Sequence, residues 1–134
     1  MVIAQDTILV VDDEPLIRMS LAASFEDAGY QVLEARNVLQ AIAIIARAPV
    51  AAVVTDVDMP GGLNGLDLVD LVAATSPSTA LVVVSGRALP NDYELPEGAR
   101  YHPKPYSQTT IVRQVGQMIA HLIRNADDRT RIEA

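Results

Sequence analysis

Two kinds of segment alternate along the chain: short runs of aliphatic and β-branched residues, and longer stretches in which apolar positions recur every three or four residues. The first kind marks strands buried on both faces, the second marks helices with one apolar side. Read in order, the pattern predicts a βα unit repeated five times, and hence an α/β fold with a parallel sheet covered on both faces. Ile8 to Val11 form the first strand. Pro15 follows where a helix start tolerates a missing N–H, with Ile17, Leu21, Phe25 and Ala28 at helical spacing and Gly29 as the stop. Gln31 to Ala35 give the second strand, and Asn37 caps a helix that runs to Arg47 and is stopped by Pro49. Ala52 to Thr55 are the third strand. Beyond the turn at Gly61, Gly62 and Gly65, a helix carries Leu66, Val69 and Val72 before Ala80 to Val84 return as the fourth strand. Arg100 to His102 are the fifth, and a last helix from near Ser107 presents Ile111, Val115, Met118, Ile119 and Leu122 on one face.

Two stretches break the regularity. Between Arg87 and Gly98, Pro90 and Pro96 remove backbone donors and bias the residues before them away from helical geometry. At most one helical turn fits there, so the fourth helix is predicted to be shortened or absent. Asn91, Asp92 and Glu94 make the segment polar on most sides, which predicts few apolar contacts to the sheet and low protection. From Asn125 to Ala134 the chain turns polar and charged, and a frayed or disordered tail is expected, too short for an output domain. The expected organisation is one domain over residues 1–124 and a tail over 125–134.

In an open parallel sheet, ligands bind beyond the carboxyl ends of the strands, so the residues there carry the chemistry. The first strand runs into Asp12, Asp13 and Glu14, the third into Asp56, the fourth into Ser85, and the fifth toward Lys104. Asp12, Asp13 and Asp56 repel one another unless a cation or proton intervenes, and hard oxygen ligands suit Mg2+. An ionised carboxylate can attack phosphorus if the charge on the transferring oxygens is neutralised, which the metal, the Lys104 ammonium and the Ser85 hydroxyl would do.

These residues carry a family resemblance across nearly the whole chain. Val10-Val11-Asp12-Asp13-Glu14, Thr55-Asp56 with Met59-Pro60 and Gly65, Val84-Ser85-Gly86, and Lys104-Pro105-Tyr106 resemble the receiver domains of two-component response regulators. The resemblance implies a flavodoxin-like doubly wound sheet of five parallel strands in the order 2-1-3-4-5. It also implies a stand-alone CheY-like response regulator, phosphorylated on Asp56 by a sensor histidine kinase or histidine phosphotransfer protein and acting on a downstream protein target. By the same resemblance, Asp13, Asp56 and the backbone carbonyl of Asp58 ligate Mg2+, Asp12 assists through a water, and Lys104 contacts the phosphoryl group. Ser85 and Tyr101 form the switch, and the Lys104–Pro105 peptide is cis. The turn at Gly61-Gly62 is one residue longer than the usual pattern.

Composition narrows the alternatives. The chain of 134 residues carries ten Lys and Arg against 17 Asp and Glu, a net charge of -7, which argues against direct nucleic-acid binding. It has no cysteine, so no disulfide or thiolate metal site is possible, and no apolar run reaches the length of a membrane span. A cytoplasmic protein, monomeric or weakly dimeric and away from membranes, is the expectation. Sustained enzymatic turnover is not expected. Asp56-Val57-Asp58 superficially matches the Asp-x-Asp of aspartate-nucleophile phosphatases, but it follows the third strand and not the first. A phosphorylation-independent interaction module is a further alternative, although no residue of the acidic trio or Lys104 is missing. His102 and His121 lack partners at ligand spacing and are expected on solvated surface. Arg87, either bordering the pocket or simply exposed, is left outside the core of the site.

Overall fold

The computed structural model describes residues 6–133, with side chains through residue 126. Its strands are β1 (Thr7–Val11), β2 (Gln31–Ala35), β3 (Ala52–Asp56), β4 (Ala80–Ser85) and β5 (Arg100–Pro103), and its helices are α1 (Pro15–Asp27), α2 (Val38–Arg47), α3 (Gly65–Thr75) and α4 (Gln108–Glu133). The strands form one parallel sheet in the order β2-β1-β3-β4-β5, the flavodoxin-like order expected.

Alternation along the strands assigns each buried residue to one of two cores. Leu9 and Val11 of β1, Val53 of β3 and Leu81 and Val83 of β4 face α2 and α3, where they meet Val38, Ala41, Leu68, Val69 and Val72. Ile8, Val10, Val54, Val82 and Val84 face the other way, against Leu21 and Phe25 of α1 and Ile111, Val115 and Ile119 of α4. All five residues of β3 and all six of β4 are buried, as a sheet covered on both faces requires.

Local chemistry sets the helix ends. Pro15 opens α1, and Gly29, at φ 99°, closes it: Gly29 N–H donates to the Glu26 carbonyl at 2.9 Å and Tyr30 N–H to that of Phe25 at 3.1 Å. The Asn37 side chain accepts from Gln40 N–H at 2.8 Å at the start of α2. Asn64 and Asp67 form a reciprocal capping box at the start of α3.

Two expectations need correction. The stretch expected to be a frayed tail is helical: α4 runs on to Glu133, with no Gly or Pro after Gly116 to stop it. Ala134 and the side chains beyond residue 126 lie outside the described residues. The segment between β4 and β5 does lack a helix, and turns occur at Asn91-Asp92 and Glu97-Gly98. It is, however, fastened by more apolar contacts than predicted. Leu89, Tyr93, Leu95 and Ala99 pack on the α2–α3 core, and the Tyr93 hydroxyl donates to Asp70 of α3 at 3.0 Å. The polar residues simply alternate with the apolar ones that face the sheet.

Candidate functional site

The carboxyl edge of the sheet gathers the predicted residues from four separate strand ends. A ligand oxygen from each of Asp12, Asp13 and Asp56 lies within 4.8 Å of the others, with Asp12 and Asp56 buried and Asp13 exposed. Lys104, following β5, places its Nζ 3.2 Å from Asp56 Oδ1 and 3.6 Å from Asp12 Oδ2. Ser85 is buried at the end of β4, where its Oγ accepts the Arg87 N–H at 3.1 Å and its carbonyl accepts the Lys104 N–H at 2.8 Å. The Lys104–Pro105 peptide is cis.

Backbone hydrogen bonds hold this arrangement in place. Asp12 N–H donates to the Ala35 carbonyl at 3.0 Å, its Oδ1 accepts the Glu14 N–H at 2.9 Å, and its carbonyl accepts from Arg18 Nη1 at 2.9 Å. Val57 N–H reaches the Val84 carbonyl at 3.1 Å and Gly65 N–H the Val57 carbonyl at 2.9 Å, fixing the turn after Asp56. Gly65 has no room for a side chain, since a Cβ there would lie 1.9 Å from the Asp56 carbonyl oxygen.

Charge in the pocket is unbalanced. Burial, followed by repulsion from Asp12, raises the Asp56 carboxyl above its ordinary value despite the opposing pull of Lys104. Burial alone would lower Lys104, but attraction to Asp12 and Asp56 outweighs it and leaves the ammonium more firmly protonated. Burial and the field of Asp12 also raise the neighbouring Tyr106 phenol. Three carboxylates against one ammonium leave a demand for further positive charge, and an all-oxygen donor set fits a hard dication such as Mg2+.

The remaining candidates sit around this pocket. The Asp58 carboxylate is engaged by Arg87 through Nη2 at 2.8 Å and Nε at 3.3 Å, on the exposed rim. Arg87 thus borders the pocket from an exposed position, through a pairing hidden in the sequence by a separation of 29 residues. Tyr101 is half-buried, and its hydroxyl donates to the Arg87 carbonyl at 3.1 Å. Contrary to expectation, His102 is partly buried and hydrogen-bonded to Gln114, while the exposed His121 contacts Asn125 at 3.2 Å. Arg18 and its partner Glu34 carry no motif that marks them in the sequence, where the one available signal is a cation six residues after Asp12.

Fold and site together define the class: a doubly wound α/β protein with a cation-demanding acidic pocket where the strands end. Residues 8–115 match the family model of the response regulator receiver domain, and the chain belongs to that family, whose members are signalling domains. It is 30% identical over 118 residues to protein PilH of Pseudomonas aeruginosa, covering 84% of this chain and 97% of that one. A response regulator receiver domain protein (CheY-like) from Methanospirillum hungatei superposes with a TM-score of 0.84 at 22% identity, covering 91% of this chain and 99% of the other. The response regulator TrrA of Thermotoga maritima, in complex with Mg2+-BeF, matches with a TM-score of 0.76 at 23% identity over 85% of this chain and 99% of that one. The chain spans only 18% of the length of a putative NtrX-like response regulator of Rickettsia conorii that it also resembles. Among the described residues, no helix is long and apolar enough to cross a membrane.

Proposed function

We propose that the chain accepts a phosphoryl group on Asp56 from a histidine kinase or histidine phosphotransfer protein, with Mg2+ in the acidic pocket, and passes the signal on by a change of conformation. The observation that carries this reading is the position of Lys104, 3.2 Å from the Asp56 carboxylate and beside Asp12, in a pocket that also holds Asp13 and Ser85. Asp13 and Asp56, with the Asp58 backbone carbonyl, would hold the ion directly, and Asp12 through a water. The bound ion would screen the carboxylates and neutralise charge on the transferring phosphoryl oxygens.

The residues of the chain supply the rest. An Asp56 Oδ attacks phosphorus, an O–P bond forms, and the donor's N–P bond breaks, with the leaving imidazole taking a proton from solvent. Lys104 binds one phosphoryl oxygen, and the Ser85 hydroxyl turns to donate to another. Tyr101, already tied to the Arg87 carbonyl next to Ser85, follows that movement. Phosphotransfer and slow self-hydrolysis would be the only chemistry. The location would be the cytoplasm, with a protein target as output and no direct nucleic-acid contact.

The phosphatase alternative fares less well, because the second carboxylate of Asp56-Val57-Asp58 is paired with Arg87 on the rim and not free to serve as a proton donor. Intact-mass measurement with acetyl phosphate tests the proposal. One phosphoryl adduct is expected, dependent on Mg2+ and absent in Asp56→Asn; an adduct that persists in Asp56→Asn or in chelator would overturn it.

A further inference from the structure

Arg18 stands where a cation is disfavoured. It lies in the N-terminal part of α1, near the positive end of the helix dipole, and its side chain is only 17% exposed. Burying a guanidinium costs free energy unless its donors are satisfied, and two contacts answer that need here. Nε donates to Glu34 Oε1 of β2 at 3.1 Å, and Nη1 donates to the Asp12 carbonyl at 2.9 Å.

That carbonyl belongs to the peptide joining Asp12 to Asp13. On its other side, Asp12 is fixed through its N–H to the Ala35 carbonyl at 3.0 Å. The two peptide groups flanking Asp12 are therefore each held by a hydrogen bond, one to β2 and the other from Arg18. The plane of the second determines where the Asp13 side chain starts, and Asp13 is the exposed member of the carboxylate cluster. Glu34 in turn fixes the guanidinium and offsets its charge.

We propose that Arg18, held by Glu34, is a positioning residue for the acidic pocket: it orients the Asp12–Asp13 peptide so that both carboxylates face the bound cation. The inference rests on the reading that the pocket binds Mg2+. It makes a prediction opposite in sign to simple electrostatics. Removing a nearby positive charge should strengthen binding of a dication if charge alone mattered, whereas loss of orientation should weaken it.

Calorimetric Mg2+ titration at fixed ionic strength on the whole chain separates the two. Arg18→Met should weaken Mg2+ binding about tenfold, the low end of what loss of a ligand-orienting partner costs. Arg18→Lys should recover part of the affinity, since its ammonium can still donate to the Asp12 carbonyl but lacks the planar fork that engages Glu34 at the same time. Tyr93→Phe, which removes a hydrogen bond remote from the pocket, should bind Mg2+ like wild type and so controls for a general loss of stability. The Asp13 amide resonance of metal-free Arg18→Met should shift as well. Affinity equal to or tighter than wild type in Arg18→Met overturns the role of Arg18 alone. If that variant does not fold, unchanged affinity in both Arg18→Lys and Glu34→Gln overturns it. A wild-type chain that takes up no Mg2+ defeats the functional reading itself.

Discussion

Replacing Gly65 with alanine tests whether the end of β3 and the start of α3 are as tightly joined as they look. The added Cβ would lie 1.9 Å from the Asp56 carbonyl oxygen, 2.8 Å from its carbon and 3.0 Å from Val57 Cα, so backbone and not a flexible side chain must yield. β3 cannot retreat, being paired with β1 and β4 and pinned by Val57 N–H on the Val84 carbonyl at 3.1 Å. The helix must therefore move outward by an ångström or more. That loosens Leu66, Leu68, Val69 and Val72, all of them buried. Overpacking typically costs 1–3 kcal/mol; with the partial unpacking of α3 added, a loss of about 3 kcal/mol or more is expected. For a domain of this size, that corresponds to roughly 10–15 °C in Tm. Urea unfolding and thermal melts measure it. Gly62→Ala is the control, since no atom lies within 4 Å of its added Cβ and a change within about 0.5 kcal/mol is expected. A stability loss below about 1 kcal/mol would refute the argument.

Other expectations follow from the charge in the pocket and from the loop. Because Asp56 is raised above its ordinary 3.8 in the fold, the unfolded chain releases this proton first; its contribution favours folding below that value and is lost as pH rises through the folded pKa. In chelator at pH 7, Asp56→Asn should therefore be more stable than wild type by urea denaturation, and the difference should vanish toward pH 3. Adding Mg2+ at about a hundred times its Kd should stabilise wild type by about 2.7 kcal/mol, with a concentration-dependent Tm, and should do much less for Asp56→Asn. Tyr93→Phe keeps the ring but loses the bond to Asp70, at a cost of about 0.5–1.5 kcal/mol by denaturant midpoint. Burial, aided by Asp70, moves the Tyr93 phenol up to about 12, so ultraviolet titration of wild type should leave a tyrosine un-ionised at about pH 11 that Tyr93→Phe lacks.

Periodicity reports burial more faithfully than it reports conformation, which explains what the sequence did and did not reveal. The three central strands were legible because β1, β3 and β4 are buried on both faces and so read as apolar runs, Val53-Val54 and Leu81 to Val84 above all, whereas the edge strands β2 and β5 are partly exposed and mix polar residues in. The extension of α4 was not, because the apolar stripe ends near Leu122 while the helix continues to Glu133 through a polar sequence. In the segment after Ser85, the prolines correctly excluded a helix, but the polar residues masked Leu89, Tyr93 and Leu95, whose inward direction depends on a loop path that local sequence does not encode. The pocket followed the same rule. Asp12, Asp13, Asp56, Ser85 and Lys104 were legible because strand ends in a parallel sheet must converge on one edge. Arg18 with Glu34 and Arg87 with Asp58 were not, since each pair is joined only by the folded backbone.

The missing helix changes how the pocket connects to the surface. Arg87 is the first residue of the chain segment that replaces that helix, and each of its polar groups is tied to a different part of the site. Its N–H donates to Ser85 Oγ at 3.1 Å, its carbonyl accepts from the Tyr101 hydroxyl at 3.1 Å, and its guanidinium holds Asp58. A regular helix here would commit such peptide groups to its own ladder beyond the first turn; an irregular segment leaves them available for side chains. Under the proposed function, a Ser85 that shifts toward a phosphoryl group pulls on the Arg87 peptide, and through its carbonyl on Tyr101. The response then passes through one peptide unit and not through the tilt of a rigid rod. Leu89, Tyr93 and Leu95 hold the rest of the segment to the core, so in the proposed mechanism the displacement would be confined to the few residues beside Ser85, and the surface that reports phosphorylation would lie along the rim of the pocket, between Asp58, Arg87 and Tyr101.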